Sequence, residues 1–208
     1  MKQEAPSLRP SKEARDALRR DQIVAAARQC VVRRGFHATS MAQVARQVGM
    51  SVGQIYRYFP SKEAIIHAIV EGIVSRRLEW LAAGGKPSDL PMALASRKFE
   101  DNPFDADDRA LLLEVTAEAT RNPEVAETVR KADQRLHAEA VAALRKDHPH
   151  LSKKEATARV ELLAVLHAGT ALREMMAPRA ELALLADLYR DVIGRLLSGS
   201  RRDSGTRK

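Results

Sequence analysis

The sequence predicts an all-α protein of about nine helices, with a small three-helix domain at the N-terminus and a larger helical body after it. Three observations carry this expectation. Apolar residues recur at three- and four-residue intervals through most of the chain, alternating strand patterns are nearly absent, and the breaks between periodic stretches hold helix caps and stops. With 208 residues, 45% hydrophobic and 30% charged, the chain has the length for a substantial core and the composition of an ordinary folded protein.

Residues 16–34 place Ile23, Ala26, Ala27, Cys30 and Val31 on one stripe that stops at Gly35. Two short helices follow. Met41, Val44, Ala45 and Val48 start after Ser40 and stop at Gly49, whereas Val52, Ile55, Tyr56 and Phe59 start after Ser51 and stop at Pro60. Each start has Gln three residues after its Ser, the spacing of a capping box. Ser61 caps a longer helix from about Lys62 to Ala83, which Gly84-Gly85-Lys86-Pro87 ends. Weaker patterns mark helices near 90–99 and 106–121. Asn122-Pro123-Glu124 reads as an N-cap, a first-turn Pro and a first-turn acid, opening a helix that runs to His148-Pro149. Ser152…Glu155 is a further capping box, for a helix that Pro178 ends, and a last helix spans roughly 181–198. The polar tail, residues 199–208, reads as disordered, and residues 1–15 as a flexible basic arm.

Charge divides the chain unevenly. Against a net charge of +8 overall, residues 1–63 hold 12 Lys/Arg and 5 Asp/Glu, whereas residues 64–208 hold 23 and 22. A basic N-terminal third on a near-neutral body points to a polyanion-binding module joined to something else. The single Cys excludes an internal disulfide and a Cys-based zinc site, and Cys30, on an apolar stripe, reads as buried and inert. The N-terminal residues lack the apolar stretch of a signal peptide, and no apolar run approaches the roughly 20 residues of a membrane span. The expectation is a soluble cytoplasmic protein without membrane association.

Two short helices joined through Gly49-Met50-Ser51 have the form of a helix-turn-helix. Glycine at position 53 weakens the second helix, and its natural use is a close approach of backbone to a groove. Gly35-Phe36-His37-Ala38-Thr39-Ser40, Val44-Ala45, and the run from Val48 through Ile55-Tyr56-Arg57-Tyr58-Phe59-Pro60-Ser61-Lys62-Glu63 resemble the DNA-binding domain of the TetR (tetracycline-repressor-like) family. The resemblance covers about residues 16–66, and beyond them it is architectural only. It implies a helix-turn-helix domain over 16–61, and over 62–198 a helical domain for effector binding and dimerisation. It also implies a homodimer on a palindromic double-stranded DNA operator, usually a repressor released by a small molecule. The alternative is a basic helical scaffold or an enzyme without sequence-specific DNA binding.

By position, the resemblance implies phosphate contacts for Thr39, Ser40 and Lys62, phosphate or sugar contacts for Tyr56 and Tyr58, and base-edge contacts for Val52, Gly53 and Gln54. Ser51 caps the same helix. Gln54 either reads a base or closes the capping box with Ser51. Arg46 and Arg57 are candidate phosphate contacts, and Arg19 and Arg20 candidates for the backbone or a minor groove. Ile55 and Phe59 read as core.

The last two helices are apolar on two sides. Val160, Leu163, His167 and Thr170 form one row and Leu162, Leu166, Gly169 and Leu172 another; Leu182, Leu185, Tyr189, Val192 and Leu196 sit beside Leu184, Leu188, Ile193 and Leu197. Burial on both sides points to a homodimer through these helices, the alternative being a fully internal helix pair in a monomer. Half of the eight aromatic residues lie within 36–59, so the body is poorly equipped to stack flat ligands. Candidate effector contacts are Trp80 and the polar residues on apolar stretches: Thr116, Glu118, His137, His167, Thr170 and Arg173. No cofactor or metal is expected, His148-Pro149-His150 being two histidines in a loop. No Glu-x-x-His, Gly-x-Ser-x-Gly or phosphate-binding glycine loop supports an enzyme.

Overall fold

A computed structural model describes residues 11–89, 106–174, 176 and 180–198. Among them are eight helices and no strand: α1 (Lys12–Ala38), α2 (Met41–Val48), α3 (Val52–Tyr58), α4 (Lys62–Ala82), α5 (Ala106–Ala119), α6 (Pro123–Asp147), α7 (Lys153–Glu174) and α8 (Leu182–Leu197). The helix expected at 90–99, the first ten residues of the arm and the tail from 199 lie outside the described residues. None of the described helices is long and apolar enough to cross a membrane. The chain divides into two compact units, Met1–Glu71 with Ala110–Val129, and Gly72–Arg109 with Arg130–Lys208. Helices α4, α5 and α6 each contribute to both, so this division does not follow the boundary at 61/62 read from sequence.

In the first unit, α1 begins four residues earlier than its periodicity predicts. Ser11 caps it by accepting a hydrogen bond from the Ala14 N–H, and Glu13 favours the positive helix start, so residues 12–15 are helix rather than arm. Its stripe of Ile23, Ala26, Ala27, Cys30 and Val31 is buried. Gly35 interrupts the helix with φ 78° and ψ 162°, and this break turns Phe36 into the core, where it is 1% exposed. Both capping boxes form as the spacing predicts: Ser40 with Gln43, and Ser51 with Gln54. Gly49 ends α2 in the left-handed conformation, φ 71° and ψ 35°. Ile55 and Phe59 are buried, as are Ile65, Ile66, Ile69 and Val70 of α4, Leu111 and Val115 of α5, and Val125 of α6.

In the second unit, Val141, Leu144, Leu151, Ala156 and Val160 form a core cluster, with Ala140 and Leu197 packed against it. Ser152 and Glu155 make the expected capping box of α7. The Arg159 Nε donates to the Leu196 carbonyl at 2.6 Å, tying α7 to α8. Thr170 donates to the Leu166 carbonyl at 2.6 Å, so its one proton is used and the Tyr189 hydroxyl, 2.5 Å away, donates to it. Leu163 and Thr170 of α7 are buried, whereas Leu162, Val165 and Leu172 are exposed. On α8 the rows differ from the sequence reading: Ile193 is buried and Val192 exposed, so Leu184, Leu188 and Val192 make the outer stripe. The buried set Ala186 and Ile193 with half-buried Tyr189 follows the helical period better than the rows first drawn.

Gly35 occupies a region of backbone space essentially reserved for glycine, and a Cβ there would lie 3.1 Å from a carboxylate oxygen of Glu114. Gly35→Ala is expected to destabilise the protein by about 1–3 kcal/mol, measured as a lowered midpoint in thermal or urea unfolding. An unchanged midpoint would mean that the chain relaxes at this break.

Candidate DNA-reading surface and ligand cavity

On the α2–turn–α3 unit, Ser40, Arg46, Ser51, Val52, Gly53, Gln54, Tyr56 and Arg57 are all exposed. Val52 and Tyr56, apolar side chains that a monomer in water gains nothing by exposing, are 39% and 50% accessible. They share α3 with buried Ile55, which seats the opposite face of this short helix in the core. The Gln54 Oε1 accepts from the Ser51 N–H at 2.8 Å, so the side chain does close the box, and its amide NH2 belongs to the exposed surface. Around Gly53 there is no atom within 4 Å of where a Cβ would sit, so nothing inside the chain requires glycine. Arg46 lines a polar cleft with Arg33, Arg34, Gln43 and Gln47, in which the Gln47 amide donates to Gln29 at 3.0 Å.

Three residues expected at the DNA backbone are used inside the domain. Thr39 is 3% exposed, and its hydroxyl donates to the Gly35 carbonyl at 2.8 Å, which closes the chain break. The Lys62 ammonium donates to the Phe36 carbonyl at 3.1 Å and lies 4.1 Å from the centroid of the Phe36 ring. Tyr58 is half-buried and its hydroxyl donates to Asp16 at 3.4 Å. Arg20 likewise braces α3 from within, donating to the Tyr58 carbonyl at 2.6 Å with its guanidinium 4.3 Å over the Phe59 ring. The residue that sequence reasoning missed is Glu114: its carboxylate accepts the Phe36 N–H at 3.0 Å from 78 positions away, a pairing that no local pattern signals.

The second unit contains a cavity of about 120 Å³. Three helices line it, each with residues at helical spacing: Arg77, Trp80 and Leu81 of α4, Leu136, His137 and Ala140 of α6, and Leu163 and His167 of α7. Of the candidate effector contacts, Trp80, His137 and His167 come together here. Thr116 and Glu118 belong to the first unit instead, Thr116 exposed and Glu118 buried with Arg121 at 2.5 Å. Thr170 is buried in its bond to Tyr189, and Arg173 is exposed. Arg77 was missed, because its spacing to Trp80 is visible in sequence but the facing of α4 toward α6 and α7 is not.

The Arg77 Nη2 lies 3.5 Å from the His167 Nε2. Burial, then the charges of Arg77 and Arg109, push the His167 pKa from 6.5 down to about 3, so the ring is neutral. A guanidinium only donates, so Nε2 is the acceptor and the imidazole proton sits on Nδ1. Among the described residues no group of three or more His, Cys, Asp or Glu side chains is placed to hold a metal ion. The His148 and His150 rings meet edge-on, with centroids 5.9 Å apart.

A capped two-helix unit with a left-handed glycine between its helices, an exposed polar and aromatic face on the second helix, and a separate cavity-bearing unit define a helix-turn-helix transcriptional regulator. The family model for bacterial regulatory proteins of the tetR family matches residues 23–69. The chain is 26% identical over 144 residues to the HTH-type transcriptional regulator BetI of Stenotrophomonas maltophilia, covering 67% of this chain and 74% of that one. It superposes on Salmonella enterica GusR with a TM-score of 0.69 at 26% identity, over 91% of this chain and 98% of that one. A transcriptional regulator of Saccharomonospora viridis in complex with choline shares the fold, with a TM-score of 0.67 at 19% identity over 86% and 96% of the two chains. Residues 23–69 thus match the tetR family, and the relatives and the 26%-identical structure that the rest of the chain resembles are transcriptional regulators.

Lys62→Ala should lower the unfolding midpoint of the DNA-free protein, with a loss of about 1 kcal/mol for a part-buried charge-assisted bond. A pure phosphate contact would leave that midpoint alone and reduce the salt slope of DNA binding by about one. For His167, the unfolded chain takes up a proton below about pH 6.5 that the folded protein refuses until about pH 3. Stability is therefore lost as pH falls through this window, by about 2 kcal/mol between pH 7 and pH 5. Urea unfolding at the two pH values checks this, and His167→Gln should remove that part of the difference.

Proposed function

We propose that the protein is a ligand-responsive repressor. A homodimer sets two α3 helices into successive major grooves of an inverted-repeat operator, about 34–36 Å apart, and a small molecule in the α4–α6–α7 cavity releases it. The observation that carries the reading is the exposed face of α3. Val52 offers a methyl contact, Gln54 an amide, Tyr56 and Arg57 phosphate or base contacts, and Gly53 room for the backbone to approach. Ser40 and Arg46 extend the surface on α2. Action on chromosomal DNA places the protein in the cytoplasm.

The dimer forms through α7 and α8, whose outer stripes (Leu162, Val165 and Leu172; Leu184, Leu188 and Val192) leave large apolar side chains in water in the monomer. Both stripes follow the three- and four-residue spacing of a helix-packing seam. The choline complex of a protein with this fold supports a small-molecule effector in the body. Helix α4 is the natural lever. It begins at Lys62, which holds Phe36 beneath the reading domain, and ends at Arg77, Trp80 and Leu81 on the cavity wall.

Gly53→Ala separates this reading from a sequence-blind basic scaffold. Alanine should raise the stability of the free protein by up to about 1 kcal/mol, yet weaken retardation of the DNA upstream of the protein's own gene. Equal retardation by both proteins, or binding equally to unrelated DNA at moderate salt, argues for the scaffold. Sedimentation should give a dimer at micromolar concentration and a monomer for Leu188→Glu; a monomeric parent protein would rule out the two-helix interface.

A further inference from the structure

Helices α1 and α2 form the two walls of the polar cleft in the first unit. Cys30, Arg33 and Arg34 line it from α1, and Gln43, Arg46 and Gln47 from α2, so each helix contributes residues at positions i, i+3 and i+4. One glutamine joins the walls. The Gln29 Oε1 accepts from the Arg33 Nη2 at 3.1 Å on its own helix and from the Gln47 Nε2 at 3.0 Å across from α2. Gln43 is held as well: its Oε1 accepts the Ser40 N–H at 2.8 Å in the capping box, and its amide NH2 remains as a donor.

The chemistry of the cleft is that of an anion site. Its three arginines are exposed, no carboxylate is among its lining residues, and Arg34 and Arg46 have no hydrogen-bond or ion-pair partner among the described residues. Three like charges about one space repel one another until an anion enters. A phosphate, with several acceptor oxygens, is the anion that the planar donor fork of a guanidinium fits. The space, about 120 Å³, is several times the roughly 10–15 Å³ that one water needs. Its place in the fold names the source. Helix α2 is the first helix of the helix-turn-helix, and that helix crosses the DNA backbone when the second lies in the major groove. Phosphates therefore pass along the helix that forms one wall of the cleft.

We infer that one phosphate of the DNA backbone seats in the α1–α2 cleft, gripped by Arg33 and Arg34 of α1 together with Arg46 of α2. This rests on the reading of α3 as the helix in the groove, and it extends the DNA footprint from the helix-turn-helix to the C-terminal half of α1. The contact carries no sequence information. It adds affinity for any duplex and fixes the register at which α3 meets the bases.

The full-length protein is titrated by fluorescence anisotropy against a labelled random duplex and against the DNA upstream of its own gene, from about 50 to about 200 mM salt. Arg33→Gln/Arg34→Gln, and the triple variant that adds Arg46→Gln, should each flatten the plot of log affinity against log salt by about one per protomer. The advantage of the parent protein then shrinks about fourfold per protomer over this range, equally on both duplexes. Arg145→Gln/Lys146→Gln, which removes two exposed charges from the end of α6 in the second unit, should leave the slope unchanged. Arg33→Lys/Arg34→Lys keeps the charge and should keep the slope, a second reading if circular dichroism shows helix lost in the glutamine variants. An unchanged slope in the glutamine variants, with the parent still bound, would overturn the cleft contact and leave the reading role of α3 standing. A fall of two or more per protomer in the triple variant would put the arginines on separate phosphates and overturn the shared site. A rise of the parent's unfolding midpoint in inorganic phosphate over chloride at equal ionic strength, absent from the variants, would assign the cleft to a free phosphate ion and overturn DNA as its occupant. No binding of the parent to either duplex at the lowest salt would overturn both the cleft contact and the reading of α3.

Discussion

The peptide of Phe36 is the point on which the N-terminal unit depends. Its N–H is held by the Glu114 carboxylate, its carbonyl by the Lys62 ammonium, and its ring lies in the core beneath that same ammonium. Both backbone groups are bonded to charged partners, which makes these bonds stronger than neutral ones. They are needed because the chain leaves helical geometry at Gly35, where backbone groups lose their helical partners. Thr39 satisfies another of them, the Gly35 carbonyl. One break in one helix thus recruits α2's approach, the start of α4 and the middle of α5.

Polar residues of this unit also hold its own structure together. Lys62, Tyr58 and Arg20 each spend their polar atoms on the domain's own backbone or side chains. Arg20 and Lys62 also lie over the rings of Phe59 and Phe36, so two cations cover the two largest buried side chains of the unit. Their effect on α3 is positional: they hold the helix whose outer face, from Ser51 to Arg57, is left exposed. Rigidity of this kind matters for base reading, because side chains must meet base edges in a set register.

In the second unit the same economy is incomplete beside the cavity, among the described residues. Thr170, Tyr189, Arg159 and Asp108 all end in satisfied bonds, whereas the His167 Nδ1–H does not. The depressed basicity of His167 comes from the same burial, with the charges of Arg77 and Arg109 adding to it, and it keeps the ring neutral.

Much of this protein was legible in its sequence because it is locally encoded. Helical periodicity, the three capping boxes, the Asn122 cap and the left-handed Gly49 all depend on residues within a few positions of one another, and each forms as its spacing requires. The helix-turn-helix and its exposed face followed from the same short-range rules, and so did the burial of Ile55, Phe59 and Cys30. What the tertiary structure decided concerns partners far apart in the chain. That Lys62 donates to a carbonyl depends on where Phe36 lies. Glu114 finds its N–H 78 residues away, and Thr116 and Glu118 belong to the first unit, whereas Arg77 lines the cavity of the second. Periodicity shows that a helix has a face; only packing decides what that face meets, because apolar burial is non-directional and many pairings of faces satisfy one pattern.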